Sequence, residues 1–299
     1  GGSAIAGDLL ADLVAIQPTV PILVVRDLRL PFLLDRRSLV IVSSYSGNTE
    51  ETLSMFHQTL RAGAQLMVVT GGGLLEDEVG SREVPLLTID VPGEPRSAVG
   101  YTLLLLLGIL GRHSLVETTE DDVRAATQAL RQQVSQLAEE VPTEDNLAKQ
   151  LALALKDKVI LIYGGGIFSG MARRWKTQFN ENAKAWAFFE TMPELLHNSV
   201  EAYGSSPEIS QRVMALLLHP NTVADQVNNR YHIVVQLLRH SGLSHRVLEG
   251  QKGPALGQML AMLLLGDYVS YYLAMLNGVD PSPTPVIVLA KQPLAGGFP

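Results

Sequence analysis

In the stretch VIVSSYSGNTEETLSMF (residues 40–56), four serine or threonine hydroxyls fall within residues 43–49, beside a glycine and an asparagine and without a lysine. The stretch passes from an apolar β-type run into a helical pattern, so these hydroxyls gather where a helix begins. A helix N-terminus carries unpaired N–H groups and partial positive charge, and so receives anions. Ser44, Ser46 and Thr49 add hydroxyl donors there, and Gly47 lets the backbone approach a ligand closely. The plainer alternative is a helix cap, with Ser46 or Asn48 at the capping position and Glu50 or Glu51 completing the box. A cap needs one hydroxyl; the surplus points to an anion, one phosphate on a small molecule. The GxxxxGK[ST] spacing of a P-loop is absent. GGGIFSG (164–170) fits a dinucleotide fingerprint only loosely and lacks a convincing ribose-binding acid.

Other residues have types suited to chemistry, each with a structural alternative. Glu181 lies in FNENAK, a polar knot between an amphipathic helix and the apolar AWAFF, where a carboxylate can move a proton; otherwise it is a helix-end glutamate paired with Lys184. His197 in MPELLHNS stands one helical turn after Glu194, the usual setting of a packed histidine. Arg96, in PGEPRSAVGY, follows a proline turn and opens an apolar helix; a surface arginine is the default. Lys291 closes TPVIVLAK at the end of a buried-looking strand, where a charge needs a purpose. His240 and His245 in RHSGLSHR read as an exposed basic loop, without the cysteines or acids of a metal site.

The elements that must position these groups follow an α/β alternation. Candidate strands are TVPILVV (19–25), SLVIVSS (38–44), QLMVVTG (65–71) and VPLLTID (84–90), with helical patterns over 3–13, 49–62 and 95–111. Near-continuous apolar strands separated by helices predict parallel sheets covered on both faces. A polar helical stretch, 118–141, ends at Pro142 and divides a first domain (1–141) from a second (142–299). The second contains the helices EDNLAKQLALALKD and FSGMARRWKTQFN, the strand KVILIYGGG and a long apolar helix, ALGQMLAMLLLGDYVSYYLAML. The opening GGSAIAGDLL reads as a loop entering a helix, so a strand is expected to precede it outside this sequence.

The 299 residues carry 23 basic against 30 acidic side chains, a net charge of −7, which argues against a nucleic-acid partner. The apolar runs read as too short to span a bilayer. The absence of cysteine excludes disulfides, thiolate metal sites and a cysteine nucleophile, and fits a cytoplasmic location.

SSYSGNTEET resembles the phosphosugar-binding motif of SIS (sugar isomerase) domains, and GGSAIAGDLL resembles the first loop of that domain. With RRWKTQFNENAKAWAF, MPELLHNSVEAYG and GDYVSYYLAMLNGVDPSPTPVIVLAK, the chain resembles the bifunctional phosphoglucose/phosphomannose isomerase family over essentially its whole length. That resemblance implies two SIS-type domains, each a three-layer αβα sandwich, with a hexose 6-phosphate between them. It implies a phosphate held by Ser44, Ser46, Thr49 and the Gly2–Ser3 loop. Glu181 would pass the proton between C2 and C1. His197 would assist ring opening in the neighbouring subunit's site, which makes the protein a homodimer. Arg96 would stabilise the enediolate and Lys291 would steer the open-chain sugar. Thr284, where glucose-specific members tend to carry glutamine, would leave room for the intermediate to rotate. No metal or other cofactor is implied. Leu196 departs from the family's usual ELNHN. Two alternatives stay open: a non-catalytic phosphosugar sensor, and an isomerase domain like that of glucosamine-6-phosphate synthase.

Overall fold

LVIVSS, rich in β-branched residues and bounded by turn formers, is β1 (Leu39–Ser44) in the computed structural model, which describes residues 2–16, 20–31, 33–221 and 224–291. The chain divides into two units, residues 1–120 and 121–299.

In the first unit β1, β2 (Gln65–Thr70) and β3 (Leu86–Thr88) form a parallel sheet in that order, with Leu39 opposite Gln65 and Val68 opposite Leu86. Four helices accompany it: α1 (Gly2–Val14), α2 (Glu50–Ala62), α3 (Gly73–Val79) and α4 (Val99–Arg112). Val42 and Val68 meet Phe56 of α2 and Leu75 and Val79 of α3 in one buried cluster, while α1 packs on α4 and β1. The strand expected over 19–25 does not form. Thr19 lies outside the described residues, and 20–25 pair with no strand. Pro21 removes a ladder donor, and the segment lies against α1 instead. Val24 touches Gly7, and Arg26 binds the Ala4 carbonyl at 2.9 Å and the Asp8 carboxylate. Helix α4 begins at Val99, so Arg96 sits in the turn before it rather than within it.

The second unit opens on α5 (Glu120–Leu137), the polar stretch read as a connector. Its sheet runs β5 (Ala187–Thr191), β4 (Val159–Gly164), β6 (Val213–His219), β7 (Ser244–Glu249), all parallel. Tyr163, Ala215 and Leu217 pack under Tyr231, Val234 and Leu238 of α9 (Asp225–His240), whereas α7 (Ser169–Glu181) packs on β4 and β5. Outside α7 lie α6 (Leu147–Leu155) and α10 (Ala255–Leu276). After Pro193, helical turns occupy Glu194–His197, Ser199–Gly204 and α8 (Pro207–Ser210).

Three expectations need correction here. The basic segment around His240 and His245 is not simply a loop: α9 ends at His240, Gly242 turns in the left-handed region (φ 71°), and His245 belongs to β7. PVIVLAK is not a strand but α11 (Pro285–Lys291), with Val286 75% and Val288 57% exposed, so Lys291 closes an exposed helix. Proline suits the first helical position, and the segment joins neither described sheet. Finally, α10 at 22 residues is, by length and composition, long and apolar enough to cross a bilayer, contrary to the expectation from its sequence. It is instead the core helix of this unit, 67% buried over its most apolar window.

Candidate active site

The turn after β1 is assembled so that its acceptors face a neighbouring loop. Tyr45 O accepts from Gly71 N at 3.0 Å, Gly47 O from Leu75 N at 3.1 Å, and Asn48 Oδ1 from Leu74 N at 3.0 Å. Gly47 has φ 66°, and a Cβ there would lie 1.7 Å from the Gly72 carbonyl oxygen, so only glycine fits. The hydroxyls are drawn inward. Ser44, buried, donates to Thr49 Oγ1 at 3.3 Å and accepts from Gly47 N at 3.2 Å; Ser46 Oγ accepts from Asn48 N at 3.4 Å. Ser43, on the opposite face of the strand, has a buried hydroxyl that makes no hydrogen bond.

Thr49 is the N-cap of α2, yet its side chain makes no capping bond. The capping explanation of the serine-rich turn is therefore not the one the structure realises: neither Ser46 nor Asn48 stands at the cap, and the first turn of α2 keeps its anion-receptive end. Glu50 and Glu51, both exposed, occupy that first turn.

Gly2 and Ser3, at the start of α1, join this turn. Tyr45 N donates to Ser3 Oγ at 3.1 Å. A Cβ on Gly2 would meet the Pro95 carbonyl oxygen at 3.1 Å and the Arg96 Cα at 3.5 Å. Arg96 itself is 7% exposed and lies 3.4 Å from Glu94 Oε2. One corner of the first unit thus gathers Gly2, Ser3, Ser44, Ser46, Thr49 and a buried cation, which suits a compact dianion.

In the second unit, Glu181 closes α7 at the end away from the Gly164–Gly166 loop, about 20 Å along the helix. It is half-buried. Helix α10 fixes the knot around it: Asn182 Nδ2 donates to Ser270 Oγ at 3.0 Å and Asn277 Nδ2 to the Ala183 carbonyl at 3.0 Å. Lys184 Nζ donates to the Glu181 carbonyl oxygen at 2.7 Å and to that of Asp280 at 2.8 Å. Four residues beyond Asp280 stands Thr284, half-buried ahead of α11, its carbonyl accepting from Val288 N at 3.1 Å. Lys291, exposed, lies at the far end of that helix, about 10 Å along its axis from Thr284.

One and two turns back along α7 from Glu181, Gln178 Nε2 reaches Asp267 Oδ1 at 2.8 Å, and Arg174 Nη2 reaches Oδ1 at 2.9 Å and Oδ2 at 3.2 Å. Desolvation pushes the Asp267 carboxyl above its ordinary range, while Arg174 and Gln178 pull it back. Trp175, between them on α7, donates to Met262 O at 3.1 Å. A Cβ on Gly266 would lie 2.4 Å from the Trp175 ring nitrogen, so α10 must present glycine there. These α10 contacts were not anticipated from the sequence, although Gln258, Asp267 and Ser270 interrupting an apolar helix were the visible sign.

His197 is exposed on its short turn, which is anchored by the fully buried Leu195 and by Asn198 Nδ2 donating to Glu194 Oε1 at 3.1 Å. Leu196, the departure from the family pattern, packs against the core around Tyr163 and Tyr203. Beneath the adjacent 199–204 turn lies a cavity of about 300 Å³ lined by Leu161, Tyr163, Phe188, Glu190 and Tyr203 among others. Burial pushes both phenols up. No cation lines this cavity among the described residues, so it does not suit a phosphate.

Comparison with known proteins decides what this arrangement belongs to. Residues 144–294 match the family model of the bacterial phospho-glucose isomerase C-terminal SIS domain. A bifunctional phosphoglucose/phosphomannose isomerase of Caldicellulosiruptor bescii is 37% identical over 298 residues, 99% of this chain and 87% of that protein. The chain belongs to the bifunctional phosphoglucose/phosphomannose isomerase family. It is accordingly an isomerase. A member named likewise from Aquifex aeolicus is 30% identical over 98% of this chain and 88% of its own length. Among solved structures, a hypothetical protein of Thermus thermophilus superposes with a TM-score of 0.76 at 17% identity, covering 99% of this chain and 82% of that one. That likeness extends the agreement to the fold.

Proposed function

We propose that this isomerase interconverts fructose 6-phosphate with glucose 6-phosphate and mannose 6-phosphate through an enediolate, without a metal. The names of its relatives support the substrates, and the uncapped start of α2, with Ser44 and Ser46 in the turn before it and Ser3 bound to that turn, is the observation that carries the reading. Each unit is a SIS-type domain, and the first holds the phosphate ester.

The remaining roles follow from the reaction. His197 assists opening of the sugar ring, and its exposure fits a residue offered to the neighbouring subunit of a homodimer. The Glu181 carboxylate takes the proton from C2 of the open-chain aldose, leaving an enediolate; the O2 hydroxyl proton passes to O1, and Glu181 returns its proton to C1, so that C2 becomes the ketose carbonyl. Arg96 offsets the negative charge that develops on the two oxygens. Lys291 steers the open chain. Rotation about C1–C2 in the space beside Thr284 lets either face of C2 be reprotonated on the return path.

A coupled assay starting from fructose 6-phosphate and reading both aldoses tests the proposal. Formation of neither product would end it. The same assay tests specificity: Thr284→Gln is expected to depress mannose 6-phosphate formation by roughly tenfold or more while glucose 6-phosphate formation persists. An unchanged product ratio would show that Thr284 does not control rotation.

A further inference from the structure

We infer that Lys184 is a positioning residue that fixes the proton-transfer carboxylate relative to the loop governing which epimer is made; this rests on the reading of Glu181 and Thr284 above. Lys184 adopts φ 52°, the left-handed region that side-chain-bearing residues seldom enter. In that conformation its ammonium spans two segments far apart in the chain. It donates to the carbonyl oxygens of Glu181 at 2.7 Å, Asp280 at 2.8 Å and Pro281 at 3.4 Å.

An ammonium has three N–H donors, and three carbonyls surround this one. One belongs to the last residue of α7, where a cation also complements the helix dipole. The other two begin the four-residue approach to Thr284. Asn277, binding the Ala183 carbonyl, makes a second tie between the same two segments. A displacement of the 280–284 loop is therefore transmitted to Glu181, and the reverse holds. Proton transfer tolerates little error in placement: a shift near 1 Å can cost about 10²-fold in rate. The side chain touches no substrate in this account and acts through the backbone of its neighbours.

Three variants separate this role from a purely structural one. Glycine enters the left-handed region freely, so Lys184→Gly removes the ammonium while relaxing the backbone, and its Tm should match or exceed the parent's. Lys184→Met removes the ammonium and keeps the strained conformation. Lys184→Arg keeps a cation able to reach carbonyls. With fructose 6-phosphate, the Gly and Met variants are expected to lose roughly 10- to 100-fold in kcat with KM within about threefold of the parent. The mannose-to-glucose product ratio should move by more than about threefold, and the Arg variant should recover part of the kcat. Parent-like kcat and product ratio in Lys184→Gly would overturn the inference. So would a kcat loss that leaves the ratio untouched, or one that merely follows a lowered Tm. An inactive parent, or a fully active Glu181→Gln, would remove the reading beneath it instead.

Discussion

Glu181→Gln is expected to lower kcat in both directions by roughly 10²- to 10⁴-fold, with affinity for the hexose phosphate kept within a few-fold. Glutamine fills the same volume and accepts at one oxygen, but it cannot take a carbon-bound proton. The fold around it should persist, because the ties from Asn182 to Ser270 and from Asn277 to Ala183 do not use the carboxylate. Two measurements check this: turnover in the coupled assay, and exchange of the C2 proton of glucose 6-phosphate with deuterated water. Loss of both, with substrate binding intact by calorimetry, is the expected pattern. Near-parent exchange would mean that another group carries the proton.

The second large effect concerns stability. Asp267→Ala leaves Arg174, only 1% exposed, without its bidentate partner. Removing one member of a buried ion pair typically costs several kcal/mol, because the remaining charge stays desolvated. Asp267 keeps 31% of its side-chain surface exposed, so the lower end of that range applies, roughly 3 kcal/mol. For a protein of this size, that corresponds to a fall in Tm of roughly 6–12 °C. Asp267→Asn, which retains one acceptor oxygen where Arg174 and Gln178 both donate to Oδ1, should lose less. Thermal denaturation of the two variants side by side checks the order. An Asp267→Ala protein as stable as the parent would mean that water or a neighbouring acceptor already serves Arg174.

Much of the fold was legible because its signals are local. The β-branched runs at 39–44 and 65–70 and the 3.6-residue periodicity of α2 and α7 belong to the segments themselves. The phosphate corner was legible for a related reason: four hydroxyls and a glycine in seven residues exceed what a cap uses. What escaped notice depends on partners distant in sequence. TVPILVV has strand composition, but Pro21 and the contact of Val24 with α1 keep it out of the sheet. PVIVLAK, also rich in β-branched residues, pairs with no described strand and takes the helical start that its proline offers. Helix α3 and strand β7 are short and carry charges, so their patterns are weak. The support of Glu181 by Ser270, Asn277 and Asp280 spans about ninety residues of chain, and no local period encodes it.

The late place of α10 in the chain has a consequence for biosynthesis. Strands β4, β5 and β6 and the helices α6 and α7 all leave the ribosome before Ala255 does. Until α10 arrives, Trp175 has no carbonyl to bind and the outer surfaces of α6 and α7 stay wet, at a stage when partly made domains are prone to stick together. Nascent chains of this isomerase should therefore need shielding by chaperones until synthesis has passed residue 276, and the second unit should reach its native state in one late step rather than by gradual growth.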